Sequence, residues 1–145
     1  MTTLRDAAGL ARADQGLAVV STVRADGSVQ STLVNAGVTT DPDTGGEVLA
    51  FVASGPVKLA NLRARPAVTC TFRAGWRYGT VEGRARLIGP DDPAPGFDAD
   101  RIRLLLREIF TAAGGTHDDW DAYDRAMVAE RRVAVLVTPT RIYGS

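Results

Sequence analysis

The sequence predicts a mainly β fold of the α+β class, a small closed β-barrel of six or seven strands with attached helices. Three observations support this prediction. The chain has 145 residues, its β-rich runs are short and separated by turn signals, and helical patterns interrupt them at only a few places. A parallel doubly wound sheet would need a helix after nearly every strand. We therefore expect one domain, residues 1–145, that is long enough to bury a core.

The predicted strands are β-rich runs bounded by Gly, Pro, Asp and Asn residues. The first two flank Asp26-Gly27, a strong hairpin signal because glycine supplies the positive φ of a tight turn. Gly79 and Gly83 lie inside the fifth run and indicate sharp bending or a close approach of another backbone segment. The strands are expected at residues 17–24, 28–38, 47–53, 67–73, 76–88 and 132–145, the last with a bend at Pro139.

Helical patterns account for most of the remaining chain. Residues 3–13 have leucine and alanine at helical spacing. Residues 54–66 turn through Ser-Gly-Pro into a short helix that ends at the final proline. After a Pro/Asp-rich linker at 90–96, an amphipathic helix starts near Asp98 and a second helix runs from about residue 118 to 131.

Composition excludes several functional classes. The net charge is zero and the hydrophobic fraction is 45%, which argues against disorder and against a general polyanion-binding surface. No apolar run approaches the roughly 20 residues of a membrane helix. The N-terminus lacks the apolar core of a signal peptide, so we expect a cytoplasmic protein. Cys70 is expected to be a buried core residue, and the single histidine, His117, argues against a histidine-rich metal site.

Residues 54–66 carry the strongest binding signal. Free backbone N–H groups at a helix start favour an anion, and Lys58, the only lysine in the sequence, lies within reach of that point. We interpret this turn as a phosphate site, with an ordinary solvated lysine as the alternative. The sequence has no CxxC, HExxH or Walker motif, and no Ser/His/Asp set can be proposed because the one histidine lies in a surface-like loop. A phosphate site without acid–base residues suits a reaction carried by a cofactor.

The order of these motifs resembles the split β-barrel superfamily of flavin and deazaflavin oxidoreductases, the relatives of pyridoxamine 5′-phosphate oxidase. The resemblance runs from about residue 4 to 145 and includes the hairpin, Ser-x-x-x-Lys-x-x-Asn-Leu-x-x-x-Pro from Ser54, Trp-x-x-x-x-Glu-Gly-x-Ala from Trp76, and the terminal strand. It implies an FMN-binding split-barrel fold and a homodimer with the cofactor in a groove between the subunits. It also implies that Lys58 and Ser54 help to hold the cofactor phosphate. Asn61, one helical turn after Lys58, is expected to face the same site.

One departure from the family pattern concerns the choice of cofactor. Family oxidases that hold FMN typically carry Arg-x-x-x-x-Lys on the second strand, whereas this chain has the neutral Gln30 and Asn35 there. Each lost charge-assisted bond is worth roughly 1.5–3 kcal/mol, so FMN binding should weaken. The branch that looks closest uses coenzyme F-420 and is typical of actinobacteria, which agrees with the arginine- and alanine-rich composition. Arg63, Arg65 and Arg77 are candidates for its anionic tail, or ordinary solvated charges.

The resemblance therefore implies an F-420-dependent oxidoreductase that passes a hydride from reduced F-420 to a small unsaturated or quinone-like acceptor. The alternatives are an FMN-dependent oxidase or reductase on the same fold, and a non-catalytic carrier of a flavin, a deazaflavin or haem. No metal, nucleic acid or membrane partner and no catalytic side chain is expected. Residues 31–35 would flank the ring, and Trp76 would either wall the groove or serve as a structural aromatic. The expected cofactor-binding residues are Ser31, Thr32, Leu33, Val34, Asn35, Ser54, Gly55, Pro56, Val57, Lys58, Asn61, Arg63, Trp76 and Arg77.

Overall fold

A computed structural model describes residues 3–145, and the strands within that range close into one antiparallel barrel. Around the barrel the strands follow the order β1-β2-β3-β6-β5-β4, and β4 pairs with β1 to close it. The predicted fold class is thereby confirmed, with six strands in the described residues. The strands are β1 Leu17–Val23, β2 Val29–Thr40, β3 Glu47–Ala53, β4 Ala67–Ala74, β5 Arg77–Ile88 and β6 Val133–Gly144. The helices are α1 Leu4–Gly9, α2 Pro56–Ala64, α3 Ala99–Ala112 and α4 Trp120–Ala129, with a 3₁₀ turn at Arg12–Asp14.

Alternating side chains on the strands form two hydrophobic cores. On β3, Leu49 and Phe51 point into the barrel, where they pack with inward residues of the other strands. Val48 and Ala50 point outward and pack against α3 and α4. This period of two explains why β3 is apolar along most of its length, since both of its faces are covered.

The two ends of the barrel are closed by different helices. α1 contributes Leu4 and Ala7 to the barrel core at one end, and α2 contributes Leu59 and Leu62 at the other. α2 joins the end of β3 to the start of β4, so the β4–β5 turn lies at the end opposite α2. β4 has eight residues, which separates that turn from α2 by about 25 Å.

Glycines allow backbone segments to approach closely at two points. A Cβ on Gly83 would collide with the carbonyl oxygen of Thr138, at a bulge where the pairing of β5 with β6 shifts register. This confirms the predicted close approach at Gly83. A Cβ on Gly37 would collide with the backbone of Ala112, which is why the end of α3 can lie directly on β2.

One side of the barrel carries a row of outward-facing side chains, of which Leu33, Val19 and Tyr143 are exposed. Successive strands there place five residues in a row, and we call this surface the open face. Leu33 is 62% exposed on it. The row consists of Leu33, Val19, Thr71, Thr80 and Tyr143. Within residues 3–145, no helix has the length and apolar character needed to cross a membrane.

Candidate functional site

The start of α2 presents hydrogen-bond donors that the helix does not use. Gly55 occupies the N-cap position without a side-chain cap, and Pro56 follows at the first helical position. The first backbone bond of this turn runs from the Leu59 N–H to the Gly55 carbonyl at 3.0 Å. The N–H groups of Val57 and Lys58 are therefore left for an external acceptor. The Ser54 hydroxyl beside them also has no partner among the described residues.

Lys58 is buried at this helix start, with only 6% of its surface exposed. Its side chain bends back along the helix, so that its Cε would lie 3.8 Å from a Cβ on Gly55. The ammonium lies 5.9 Å from the ring centre of Phe51 and has no carboxylate partner among residues 3–145. Burial lowers the pKa of Lys58 below its ordinary value of 10.5, and the charge of Arg132 acts in the same direction. A bound anion would relieve both effects.

The ammonium is nevertheless not sealed off. In the described part of the chain, Thr32 Oγ1 is the only side-chain oxygen or nitrogen that is both fully enclosed and without a partner. Since Lys58 Nζ lacks a partner too, it must retain some access from outside. The start of α2 thus combines an accessible cation, free N–H groups and a free hydroxyl. Together these groups suit the oxygen atoms of a single phosphate.

The amide of Asn61 is used inside the protein. Its Nδ2 donates to Thr22 Oγ1 at 3.0 Å, and its Oδ1 accepts from Arg65 at 3.3 Å. Arg65 also donates to the Val23 carbonyl at 2.8 Å. These bonds tie α2 to β1. The structure places Asn61 next to Lys58 along the helix, but with its polar atoms turned to this network, and a role on the cofactor stays a prediction.

The arginine expected at the cofactor tail has a partner of its own. Arg63 makes two parallel hydrogen bonds to the carboxylate of Asp92, at 2.9 and 2.7 Å. This pair links the last turn of α2 to the linker after β5. A tail carboxylate would have to compete with Asp92 for the same guanidinium.

Residues 31–35 divide between the two faces of β2. Thr32 and Val34 point into the barrel with Val20 and Ala18, their cross-strand neighbours. The remaining residues point outward on the side of the open face. Ser31 Oγ lies 2.9 Å from Ser21 Oγ, Leu33 is exposed, and Asn35 donates to the Gln15 carbonyl at 2.9 Å. A ring bound on the outer surface could contact only this outward set.

Trp76 and Arg77 lie at the β4–β5 turn, far from Lys58 within one chain. Trp76 is fully exposed. The predicted site residues therefore form two groups at opposite ends of the barrel, with the outward residues of β2 on the face between them. A single subunit does not bring the two groups together.

Barrel closure places Arg132 near Lys58, which sequence reasoning missed because the two residues are 74 positions apart. The pairing of β3 with β6 brings them to the same barrel end. Cys70, close enough to Lys58 for their charges to interact, is fully buried as predicted. Burial raises the pKa of its thiol to about 12, which makes it a poor nucleophile.

Comparisons with known proteins agree with this architecture. The family model for pyridoxamine 5′-phosphate oxidase matches residues 5–144. Among solved structures, a conserved hypothetical protein from Mycobacterium tuberculosis is 19% identical with a TM-score of 0.67, covering 99% of this chain and 84% of that one. An F420 reductase is 23% identical with a TM-score of 0.56, covering 88% of each chain. A pyridoxamine 5′-phosphate oxidase-related, FMN-binding protein from Nostoc punctiforme is 14% identical with a TM-score of 0.59, covering 97% of this chain and 81% of that one.

Proposed function

Because the chain belongs to the pyridoxamine 5′-phosphate oxidase family, we propose that it is an oxidoreductase that uses coenzyme F-420. In this proposal a hydride passes from the reduced deazaflavin to a small unsaturated or quinone-like acceptor. The observation that carries the proposal is the buried, unpartnered Lys58 at the uncapped start of α2. A bound anion would stabilise a buried lysine that has no other partner, and the phosphate of the cofactor is such an anion.

The residues at the α2 start fit a phosphate by their chemistry. Lys58 would supply the positive charge, the N–H groups of Val57 and Lys58 would donate along the helix axis, and the Ser54 hydroxyl would donate from the preceding turn. When bound, the cofactor supplies the hydride chemistry through its ring. The chain then has to bind the phosphate, orient the ring against β2 and keep water from the face where the acceptor lies.

The neutral residues of β2 favour F-420 over FMN. Gln30 accepts a hydrogen bond from Thr22 at 3.3 Å, and Asn35 donates to the Gln15 carbonyl, so neither position offers a cation. The phosphate of FMN is a monoester with a charge near −2, whereas that of F-420 is a diester with a single charge. One lysine matches the single charge better. The similarity to an F420 reductase agrees with this choice, while the FMN-binding relative keeps FMN as the second candidate.

We further propose that the working form is a homodimer in the cytoplasm. Trp76 and Arg77 lie at the end opposite Lys58, so they can join its site only from a second copy placed antiparallel across the open face. The exposed Leu33 and Val19 on that face give such a contact an apolar centre. Size-exclusion chromatography with light scattering should find about twice the chain mass of 15.3 kDa. Leu33→Asp should shift the protein to monomer and weaken cofactor binding with it, and a monomeric wild type would contradict this part.

The activity is tested by mixing the protein with reduced F-420 and a panel of quinones and activated alkenes, and by following oxidation of the cofactor. We expect turnover with at least one acceptor, and Lys58→Ala should reduce it while the surface variant Arg12→Ala does not. Tight binding without turnover on any acceptor would favour the carrier alternative. A yellow protein that keeps its flavin absorbance through gel filtration would favour FMN.

A further inference from the structure

A cavity of about 340 Å³ lies outside the proposed cofactor groove, between the linker that follows β5 and the α3–α4 helix pair. Its volume falls at the lower end of the range for natural small-molecule pockets, roughly 300–1,000 Å³. A molecule with one or two fused rings has a size that fits this space. Apolar side chains form most of the wall, among them Pro90, Pro93, Phe97, Ile102, Leu106 and Met127.

The linker wall of this cavity is held in place from both sides. Asp92 pairs with Arg63 on α2, and Asp91 pairs with Arg131 just after the end of α4. Gly89 and Asp92 exchange two backbone hydrogen bonds of 3.1 Å. Since prolines also restrict this segment, the cavity exists without a ligand to shape it.

The charged residues on the α3–α4 side of the wall are paired with each other. Asp124 accepts hydrogen bonds from Arg107 on both of its oxygens. Arg103 contacts the same carboxylate at 3.5 Å and that of Asp100 at 3.6 Å. The hydrogen bonds from Arg107, with a smaller contribution from Arg103, hold the pKa of Asp124 below its usual value. Asp124 therefore stays ionised at neutral pH, and two guanidinium groups share its charge.

The two remaining arginines of the wall also have carboxylate partners. Arg131 donates two hydrogen bonds to Asp91, at 3.2 and 2.6 Å, and Arg132 donates one to Glu130 at 2.7 Å. Every charged residue that lines the cavity thus has a partner of opposite sign within the described part of the chain. A charged ligand would lose its hydration here without gaining a free counter-charge, so the cavity favours an uncharged one.

We propose that this cavity binds an uncharged, apolar molecule of one or two fused rings. The rings lie among Phe97, Leu106 and Met127, where an aromatic edge, an aliphatic side chain and a polarisable thioether are all available for contact. Removal of apolar surface from water drives the binding, and the ion pairs of the wall stay intact. The inference goes beyond the proposed oxidoreductase activity and does not rest on it, because the cavity shares no residue with the predicted cofactor-binding set.

Three naphthalene derivatives with the same ring body test the preference for an uncharged ligand. Naphthalenemethanol is neutral, naphthoate is an anion and naphthylmethylammonium is a cation. Each is titrated into the full-length protein without cofactor, and amide chemical shifts are followed. We expect the neutral alcohol to bind with a Kd of about 0.1 mM or tighter and to shift amides of the linker, α3 and α4. The two charged derivatives should bind about fivefold or more weakly.

Substitutions in the wall locate the ligand. Met127→Trp should fill the cavity and abolish binding of the alcohol, whereas Met127→Leu, which conserves volume and apolar character, should change the Kd less than about twofold. Ala99 lines the cavity but is exposed. Ala99→Trp should therefore narrow the opening without disturbing a core, and weaken the alcohol about tenfold. Arg12→Gln, at an exposed arginine outside the cavity, should change nothing.

The role of the ion pairs is tested by removing one carboxylate. Asp91→Asn leaves Arg131 on the wall without its partner, and the Asp91 side chain is 56% exposed, so the substitution should not affect folding. Naphthoate should then bind about threefold or more tightly than it binds to the wild type, while the affinity for the alcohol stays the same.

Several outcomes would overturn this inference. Equal affinity for the three derivatives, or no gain for naphthoate in Asp91→Asn, would show that the paired charges do not select the ligand. Unchanged binding in Met127→Trp and Ala99→Trp, shifts centred on the open face, or no shifts at about 1 mM would show that the cavity is not a site. Lys58→Met should leave the affinity for the alcohol unchanged, and its loss would mean that the probe occupies the phosphate site instead. Amide dispersion in the same spectra establishes that each variant is folded.

Discussion

Replacing Lys58 with methionine should change the stability of the protein and its affinity for the cofactor in opposite directions. Methionine keeps the length and apolar stem that lie against Phe51 and removes only the charge. In the absence of an anion, Lys58 as a whole is 6% exposed and its charge has no partner among residues 3–145. With an anion bound, the same charge becomes the main attraction of the site.

The magnitudes decide which effect dominates in each state. A desolvated, unpaired charge costs up to several kcal/mol, and the contact with the Phe51 ring returns about 0.5–1 kcal/mol of this. We therefore expect Lys58→Met to stabilise the cofactor-free protein by about 1 kcal/mol, or about 3–5 °C in Tm. Loss of the charge-assisted bond to phosphate costs about 1.5–3 kcal/mol, so cofactor affinity should fall at least tenfold.

The pH dependence gives a second measure of the same group. Because the pKa of Lys58 is lowered in the folded state, the unfolded chain binds the extra proton between that lowered pKa and the ordinary value of 10.5. The stability of the wild type should therefore rise with pH across this window, relative to Lys58→Met. A variant that loses stability without a change in cofactor affinity would refute the reasoning and make Lys58 a structural residue. Arg12→Met serves as the surface control, measured by thermal unfolding and by titration of ring fluorescence.

Three further substitutions test the fold around the site. Asn61→Ala should lower the free energy of unfolding by about 2 kcal/mol, since it removes the donor to the buried Thr22 hydroxyl, and urea titration would detect this. Arg131→Gly should raise Tm, because this position closes α4 with a φ of 50° that glycine adopts without strain; an unchanged Tm would mean that the surface ion pair matters more. Gly83→Ala should destabilise by about 2 kcal/mol or more through its collision with the Thr138 carbonyl, and wild-type stability in a melting experiment would rule out the close approach.

The order of strands and helices could be predicted from the sequence, because the local hydrophobic patterns and turn residues agree with the way these elements pack. Alternating patterns and turn residues marked each of the six strands within a few positions, and the Asp26-Gly27 turn does join β1 to β2. Pro56 begins α2 at its first position, as the proline rule predicts. These features depend on neighbouring residues and need no knowledge of the tertiary fold.

The arrangement of the site was harder to predict from the sequence, because it depends on which face of a strand and which end of the barrel a residue occupies. Periodicity could not say whether Ser31 or Thr32 faces the interior. Nor could it show that Trp76 lies at the end opposite Lys58, or that Asn61 hydrogen-bonds to β1. These facts follow from strand register and closure, which bring together residues far apart in the chain.

Direct comparison of the two candidate cofactors tests the central claim most sharply. The affinity of one protein preparation for F-420 and for FMN can be measured by ring fluorescence, with Lys58→Met beside the wild type. We expect F-420 to bind with a micromolar or tighter Kd, FMN to bind at least tenfold more weakly, and Lys58→Met to lose most of the affinity for F-420. Preferential binding of FMN, or no response to F-420 at micromolar concentration, would contradict the assignment.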